Sequence, residues 1–218
     1  MNITTEPVET YIDTLYKPLS EELEAFRARA ENDGIPIILK STEMFLLNLM
    51  NIKRPTNILE IGTAVGYSTA CFAKKVKGCN VTSIELDEET HQKAVRNISA
   101  LNLAERVTVL QGDAETVIRE QLSDQTFDFV FIDAAKSHYK RFFDAAVTVC
   151  ADGALLISDD ILLKGGTASD SYIRSRRHLT NIRKMREYLA YLSSLSYADT
   201  SFVPMGTGIA ITVLGKRG

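Results

Sequence analysis

Carboxylates follow four of the five strands that the sequence predicts in its central part. Glu85, Asp113, Asp133 and the pair Asp159-Asp160 each come at or just after the end of a short apolar run. Taken singly, such a residue is more often an exposed turn or a helix cap. In an open α/β sheet, however, ligands bind at the carboxyl ends of the strands, and acids arriving there in strand order favour ligand contacts. Glu85, which closes the second strand, suits the two hydroxyls of a ribose.

The first predicted strand runs into a glycine loop. Residues 58–68 read Ile-Leu-Glu-Ile-Gly-Thr-Ala-Val-Gly-Tyr-Ser, with Glu60 just before the first glycine. Gly62 and Gly66 let the backbone approach a ligand closely, which is typical of a nucleotide-type binding loop. The loop lacks the Gly-x-Gly-x-x-Gly fingerprint and the Lys-Ser/Thr ending of a phosphate-binding loop, so a pyrophosphate ligand is disfavoured.

Strands and helices alternate after residue 57, which predicts an α/β fold with a parallel sheet between helices. Strands are predicted at 57–61, 80–85, 106–110, 127–132 and 153–158. Helices are predicted at 68–76, 88–102, 114–122 and 137–149. Asp87 stands before two acids and predicts a helix start.

The two ends of the chain extend this core. Residues 8–16, 20–32 and 41–51 predict three N-terminal helices, and the segments 197–205 and 208–214 predict a closing hairpin around Gly206-Thr207-Gly208. We interpret residues 1–218 as one domain, with N-terminal helices in 1–51 and a Rossmann-like core in 57–218.

The composition is that of a globular protein. The chain has 218 residues, 45% of them hydrophobic, and a formal net charge of −3. No apolar run reaches the roughly 18 residues of a membrane helix, and the start has no secretory pattern, so we expect a cytoplasmic protein without membrane contact. The three cysteines are widely spaced and predict buried free thiols.

Four motifs together resemble the metal-dependent, S-adenosylmethionine-dependent O-methyltransferases, which include catechol and caffeoyl-CoA O-methyltransferases. They are Glu60-x-Gly62-x-x-x-Gly66-Tyr67-Ser68, Ile84-Glu85, Gly112-Asp113-Ala114 and Phe131-Ile132-Asp133-Ala134-Ala135-Lys136. The resemblance covers about residues 35 to 215. Its most specific element is Asp133-x-x-Lys136 followed by Asp159-Asp160. It implies a class I methyltransferase sheet with helices on both faces, and a homodimer.

The resemblance also implies which residues form the site. Cofactor contacts would come from Ile38, Glu60, Gly62, Thr63, Gly66, Tyr67, Ser68, Glu85, Asp113, Ala114 and Asp133. Metal ligands would be Asp133, Asp159 and Asp160. Relatives commonly carry asparagine in place of Asp160, so this site gains a negative charge. Three oxygen donors favour a hard cation, and we expect Mg²⁺.

Asp133 and Lys136 are the predicted catalytic residues. A cation chelated by two substrate oxygens would lower the pKa of the acceptor hydroxyl. Lys136 could take the hydroxyl proton, if the metal lowers the lysine pKa, or could stabilise the oxyanion. A solvated lysine at a helix start is the plainer alternative.

Basic residues are concentrated in residues 171–190. In the helix predicted there, Ile182, Met185, Leu189 and Leu192 share one face. Lys164, Arg174, Arg176, Arg177, Arg183 and Lys184 are candidate RNA contacts. An ordinary solvated helix face explains the same charges. Residues 163–169 predict a mobile lid over the acceptor.

Within the family, the chain most resembles the bacterial enzymes that methylate 5-hydroxyuridine in the tRNA anticodon. Phosphates could then meet the basic face while an unstacked base enters the site. Two alternatives stay open from the sequence: a small-molecule catechol or caffeoyl-CoA type of acceptor, and a regulator that binds the cofactor without catalysis.

Overall fold

The computed structural model describes residues 6–173 and 178–216. Helices α1 to α8 span Glu6–Thr14, Glu21–Asn32, Lys40–Lys53, Tyr67–Lys75, Glu88–Ala100, Ala114–Gln121, Tyr139–Thr148 and Leu179–Ser194. Strands β1 to β7 span Asn57–Ile61, Asn80–Glu85, Val107–Gln111, Phe127–Ile132, Cys150–Ser158, Ala198–Val203 and Ile209–Leu214. Short 3-10 turns lie at Lys136–His138, Leu163–Gly165 and Asp170–Tyr172.

In the described part of the chain the strands form one seven-stranded sheet in the order β3-β2-β1-β4-β5-β7-β6. Strands β1 to β5 pair in parallel, while β7 pairs antiparallel with both β5 and β6. The predicted parallel sheet with a closing antiparallel hairpin is therefore confirmed. The chain leaves β1 toward β2 on one side and returns to β4 on the other, so the ends of β1 and β4 mark the switch point where a crevice opens.

Helices cover both faces of the sheet, as predicted. Alternate residues of the central strands point to opposite faces, so Phe129 and Phe131 pack on the side of α2 to α5. Val130 and Ile132 pack on the side of α6 to α8. Because both faces are buried, the central strands are almost continuously apolar.

Several predicted boundaries shift. Strand β5 begins at Cys150 rather than at residue 153, and it contains Gly153 at a φ of +70°. The helix predicted at 137–149 begins as a 3-10 turn that carries Lys136, and α7 follows. Asp87 caps α5 by accepting from the Thr90 N–H, which confirms that start.

Two further predictions can be compared with the fold. The side chains of Cys71, Cys79 and Cys150 are buried, and these three cysteines form no disulfide with one another, as predicted. Within the described ranges, none of the helices is both long and apolar enough for a bilayer crossing.

Candidate functional site

The glycine loop brings the ends of β1 and β4 into direct contact. Gly62 has a φ of +97°, and its N–H donates to the Ile84 carbonyl at 3.0 Å. The Asp133 N–H in turn donates to the Ile61 carbonyl at 3.0 Å. A Cβ added at Gly62 would lie 2.1 Å from the Asp133 carbonyl oxygen, so no side chain fits there. The crevice at the switch point depends on this glycine.

Glu85 lies beside the loop with its carboxylate oriented by backbone groups. One oxygen accepts from the Ala64 N–H at 2.9 Å, and the other accepts from the Asp87 N–H at 3.1 Å. The residue is only partly buried. Backbone groups thus hold this carboxylate next to the glycine loop, and its contact with a ribose stays a prediction.

Glu60 is completely buried, and its carboxylate is occupied by hydroxyls of the protein. Its Oε1 accepts from Ser68 at 2.5 Å, and its Oε2 accepts from Ser83 at 2.6 Å and from Thr69. Thr63 in turn shares a 2.6 Å hydrogen bond with Ser83. These hydrogen bonds join Glu60, Thr63 and Ser68 to one another and to β2 and so support the glycine loop. Whether the three residues also contact a cofactor stays a prediction.

Replacing Glu60 with glutamine should change how stability depends on pH. Burial raises the Glu60 pKa to about 7 from an ordinary 4.5. A raised folded-state pKa stabilises the fold below the unfolded value, and this contribution is lost as pH rises through 7. From pH 4.5 to 7 the free energy of unfolding of the unsubstituted protein should fall by about 3 kcal/mol relative to Glu60→Gln. Urea unfolding at several pH values measures this difference, and two parallel pH profiles would contradict it.

Tyr67 and Ile38 belong to a buried polar cluster beneath the loop. The Tyr67 hydroxyl donates to Glu43 at 2.7 Å and accepts from Arg27 Nε at 3.1 Å. Arg27 also donates to Glu43 at 2.7 Å and to the Ile38 carbonyl at 2.9 Å. Because the buried carboxylate and guanidinium are paired and hydrogen bonded, their desolvation is compensated. This cluster joins α2 and α3 to the start of α4, and whether Ile38 and Tyr67 also contact a cofactor stays a prediction.

Asp113 and Ala114 follow β3 at the same edge of the sheet. Asp113 caps α6 by accepting from the Thr116 N–H, and it forms an ion pair with Arg141 at 2.8 Å. Although partial burial would raise the Asp113 pKa, the Thr116 and Arg141 contacts outweigh it, and the net shift is downward. Asp113 is therefore an anion that α7 helps to hold in position.

Asp133, Asp159 and Asp160 converge on Lys136. The Lys136 Nζ lies 2.6 Å from Asp133 Oδ1 and 3.3 Å from Asp160 Oδ2. Burial would lower the lysine pKa, but the attraction of these carboxylates exceeds it, so the Lys136 pKa is raised. Asp159 is 4% exposed, and burial together with the charge of Asp133 raises its pKa to about 7. The cluster thus holds one ammonium among three mutually repelling carboxyl groups.

Two residues of this cluster were missed by the sequence analysis. The buried Tyr139 hydroxyl accepts from Lys136 Nζ at 2.9 Å and donates to the Asp159 carbonyl at 2.7 Å. The Thr207 hydroxyl donates to Asp159 Oδ1 at 3.3 Å. Tyr139 is three positions after Lys136, a spacing that could have indicated contact across one turn. For Thr207, which is distant in sequence, we find no comparable pattern.

The three carboxylates fit a hard divalent cation by charge and by donor type. All are oxygen donors, and added positive charge would relieve the repulsion that raises the Asp159 pKa. Among the described residues, no three His, Cys, Asp or Glu groups are already arranged in coordination geometry. Lys136 bridges Asp133 and Asp160 instead. Asp160 has a φ of +55°, in the left-handed region that asparagine and aspartate adopt most readily.

A cavity of about 760 Å³ opens beside this cluster. Lys136 and Asp160 form part of its wall, and Lys164, Tyr172, His178 and Asn181 form another part. Its volume lies within the range of small-molecule sites. An acceptor in this cavity would lie against the lysine and carboxylates that the sequence predicts to be functional.

The segment predicted as a mobile lid is tied to α8 by Arg186. Its guanidinium donates to the Thr167 and Gly166 carbonyls at 2.9 and 2.8 Å and contacts Asp170 at 2.7 Å. The Thr167 hydroxyl donates to the Ile161 carbonyl at 2.8 Å. These bonds fasten much of the segment, which the sequence analysis did not anticipate.

The predicted RNA contacts are only partly covered by the structure. Lys164, Arg183 and Lys184 are exposed, and Lys184 lies 2.9 Å from Glu187 on the same helix. Ile182, Met185 and Leu192 are buried as predicted. Leu189 is only partly buried, and Tyr188 completes that face. Arg174, Arg176 and Arg177 lie outside the described residues.

The architecture defines a class of protein. A sheet of this order, with a glycine loop after β1, a carboxylate after β2 and an antiparallel closing hairpin, is the fold of the class I S-adenosylmethionine methyltransferases. A model of the O-methyltransferase family matches residues 14–214, and the chain belongs to that family.

Similarity to individual proteins agrees with this assignment. A catechol O-methyltransferase of Niastella koreensis is 26% identical over 205 residues, which are 92% of this chain and 90% of that protein. The solved structure of a proposed caffeoyl-CoA O-methyltransferase from Staphylococcus aureus is 30% identical, with a TM-score of 0.90, over 96% of this chain and all of that one. An O-methyltransferase of Bacillus cereus, solved in complex with S-adenosylhomocysteine, is 26% identical with a TM-score of 0.82, over 95% and 97% of the two chains.

Proposed function

We propose that this enzyme transfers a methyl group from S-adenosylmethionine to a hydroxyl that lies next to a second oxygen on a planar ring. The observation that carries the proposal is the cluster of Asp133, Asp159, Asp160 and Lys136 beside the 760 Å³ cavity. Methyl transfer from a sulfonium requires an aimed, deprotonated oxygen, so positioning dominates the catalysis. A cluster of acids around one ammonium, at the edge of this cavity, would supply that positioning.

The cofactor would lie over the glycine loop. Glu85 would bind the ribose hydroxyls, because its carboxylate is already held at the end of β2. Asp113 and Ala114 would flank the adenine at the end of β3. The S-adenosylhomocysteine in the Bacillus cereus relative supports this choice of cofactor.

Asp133, Asp159 and Asp160 would hold Mg²⁺, which would supply the Lewis acidity that lowers the pKa of the acceptor hydroxyl. Lys136 lies 2.6 Å from Asp133 at the wall of the cavity. There its ammonium form would stabilise the acceptor oxyanion, and its neutral form would take the hydroxyl proton. Tyr139 fixes the position of Lys136 through their 2.9 Å hydrogen bond.

For the acceptor we propose 5-hydroxyuridine in the anticodon loop of tRNA, whose hydroxyl stands next to a ring carbonyl. Ile173 and His178 line the cavity, and Arg174, Arg176 and Arg177 occupy the sequence between them. Lys164 is an exposed cation that lines the same cavity. Phosphate contacts require this kind of local positive charge even when the whole chain is acidic.

A small-molecule catechol is the second candidate. The Niastella koreensis relative, a catechol O-methyltransferase, aligns over nearly all of both chains. Its acceptor presents the same pair of adjacent oxygens. The homodimer expected from the sequence stays a prediction, whichever acceptor is correct.

Charge neutralisation should separate the two acceptors. Changing Arg176, Arg177 and Lys184 together to glutamine should lower kcat/KM for tRNA carrying 5-hydroxyuridine by roughly tenfold or more, since phosphate contacts are lost. Activity on 3,4-dihydroxybenzoate, a catechol, should not change. Mass spectrometry of nucleosides after incubation with S-adenosylmethionine and Mg²⁺ measures the first activity.

A control variant of equal charge change replaces Lys77, Lys93 and Arg96, which are exposed and do not line the cavity, with glutamine. It should retain tRNA methylation. Equal losses in both variants would point to net charge alone, and full tRNA activity in the first variant would count against RNA recognition by these residues.

A further inference from the structure

The side chain of Tyr172 lines the cavity and is exposed. Tyr172 closes the 3-10 turn Asp170–Tyr172, and 57% of its surface is accessible although it lines the same cavity as Lys136 and Asp160. Its hydroxyl makes no hydrogen bond with other described residues. Because the ring is exposed within the cavity, it has a surface available to a ligand.

The ring is held against backbone on one side. A Cβ added at Gly165 would lie 2.9 Å from Tyr172 Cγ and 3.2 Å from each of its two Cδ atoms. Near-equal distances to the two Cδ atoms, with Cγ the nearest, place Gly165 over one face of the ring. Only glycine allows this approach, and Gly165 also has a φ of +88°. Tyr172 lines the cavity whereas Gly165 does not, so the ring surface that borders the cavity is not the face covered by Gly165.

The turn that carries the ring is also fastened. Arg186 bonds to Asp170 at 2.7 Å and to the Gly166 carbonyl at 2.8 Å, so two points near the ring are anchored to α8. The Tyr172 N–H donates to the Ser169 carbonyl at 3.2 Å. An aromatic ring that is seated on one face and anchored through its turn loses little entropy when a ligand packs against it.

We propose that Tyr172 is a specificity-determining residue whose free ring face stacks on the planar ring of the methyl acceptor. The inference rests on the proposed function for the identity of the site and deepens it by naming the residue that recognises the acceptor's ring. Acceptors with flat rings are selected, and those with adjacent hydroxyls on a puckered ring are not. Stacking on a tyrosine is tolerant of ring chemistry, because pyrimidines and catechols both present a π face.

Substitution should separate binding from turnover. Tyr172→Leu should raise KM for the planar acceptor by roughly 5- to 100-fold, the usual size of one lost stacking contact, with a much smaller change in kcat. Tyr172→Phe should restore KM to near the original value. Tyr197→Leu removes another partly exposed tyrosine that does not line the cavity, and it should change nothing. A KM unchanged in Tyr172→Leu would overturn the proposal.

A second measurement does not need turnover. The chain has no tryptophan, so Tyr172→Trp places a single indole in the cavity. With S-adenosylhomocysteine and Mg²⁺ present, 5-hydroxyuridine and 3,4-dihydroxybenzoate are the planar probes, and cis-cyclohexane-1,2-diol offers adjacent hydroxyls without a flat ring. Quenching by at least one planar probe but not by the diol supports stacking. Equal responses to all three, or none, overturn it.

The two proposals fail in different ways. If the unsubstituted enzyme methylates neither tRNA nor the catechol, the proposed acceptors are wrong, and the fluorescence comparison still decides whether Tyr172 stacks on flat rings. If methylation proceeds normally but the Tyr172 variants match the original KM, the proposed function stands and the stacking inference falls.

Discussion

Alanine in place of Lys136 is expected to reduce methyl transfer by a factor of roughly 100 to 10,000 while S-adenosylhomocysteine still binds. The ammonium lies 2.6 Å from Asp133 and 3.3 Å from Asp160, at the wall of the acceptor cavity. In that position it can neutralise the acceptor oxygen as negative charge develops, and alanine offers no donor. Kinetics with saturating cofactor, followed by calorimetric titration of S-adenosylhomocysteine, measure the two halves of the prediction.

The control is a lysine one turn further along the chain. Lys140 is exposed and pairs with Asp144 at 2.6 Å, so Lys140→Ala removes the same side chain outside the cluster. It should leave kcat near its original value, because exposed pairs contribute little. Full activity of Lys136→Ala would exclude the lysine from the mechanism.

Cation binding gives Lys136→Ala an independent readout. With the ammonium gone, Asp133 and Asp160 lose their positive partner and a divalent ion meets no competing cation. The variant should therefore bind Mg²⁺ at least as tightly as the unsubstituted protein, even though turnover is lost. Weaker Mg²⁺ binding would indicate that Lys136 organises the carboxylates rather than acting on the acceptor.

The sequence predicted the framework well because local rules determine it. Apolar runs with turn residues between them gave β1, β2 and β4 with their observed bounds, and Asp87 capped α5 as expected. The carboxyl edge followed from the sheet type, so Glu85 and Asp133 could be assigned to one site before any coordinates. Residues near strand ends are predictable because parallel strands all end at the same edge.

Contacts between distant segments were not predictable in the same way. Nothing local to Glu60 indicates that hydroxyls from α4 and β2 surround it, nor does Arg27 reveal its pairing with Glu43 and Tyr67. Burial and partner choice arise when elements pack, and a charged residue in a helix usually predicts a solvated face. The sequence therefore predicts N-terminal helices that only extend the core. In the structure, Arg27 and Glu43 connect these helices to Tyr67 at the start of α4.

The ion-pair partner of Asp160, where the resemblance predicts asparagine, could not be predicted from the sequence either. Asparagine, which the resemblance leads one to expect there, would leave Lys136 with fewer acidic neighbours. Asp160 instead forms a 3.3 Å ion pair with Lys136, so the extra negative charge is balanced inside the cluster. The backbone at Asp160 is left-handed, a conformation that aspartate and asparagine both adopt.

Gly62→Ala should destabilise the fold more than an alanine at the other glycine of the glycine loop, Gly66, where an added Cβ would meet no atom closer than 3.5 Å. The new Cβ would lie 2.1 Å from the Asp133 carbonyl oxygen and 2.8 Å from its carbon, both backbone atoms that cannot rotate away. The φ of +97° adds strain that a non-glycine residue rarely tolerates. Together these terms predict a loss of roughly 2–6 kcal/mol in the free energy of unfolding.

A second glycine isolates the steric part of this effect. Gly78 has a φ of +84°, but a Cβ added there would meet nothing within 4 Å. Gly78→Ala therefore carries the backbone strain without the clash, and it should cost roughly 1–3 kcal/mol and leave S-adenosylhomocysteine binding intact. Gly62→Ala should lose that binding even at temperatures where circular dichroism shows it folded, because relieving the clash must push β1 and β4 apart at the crevice. If the two variants unfold alike and bind the cofactor product alike, contact between the ends of these strands does not shape the site.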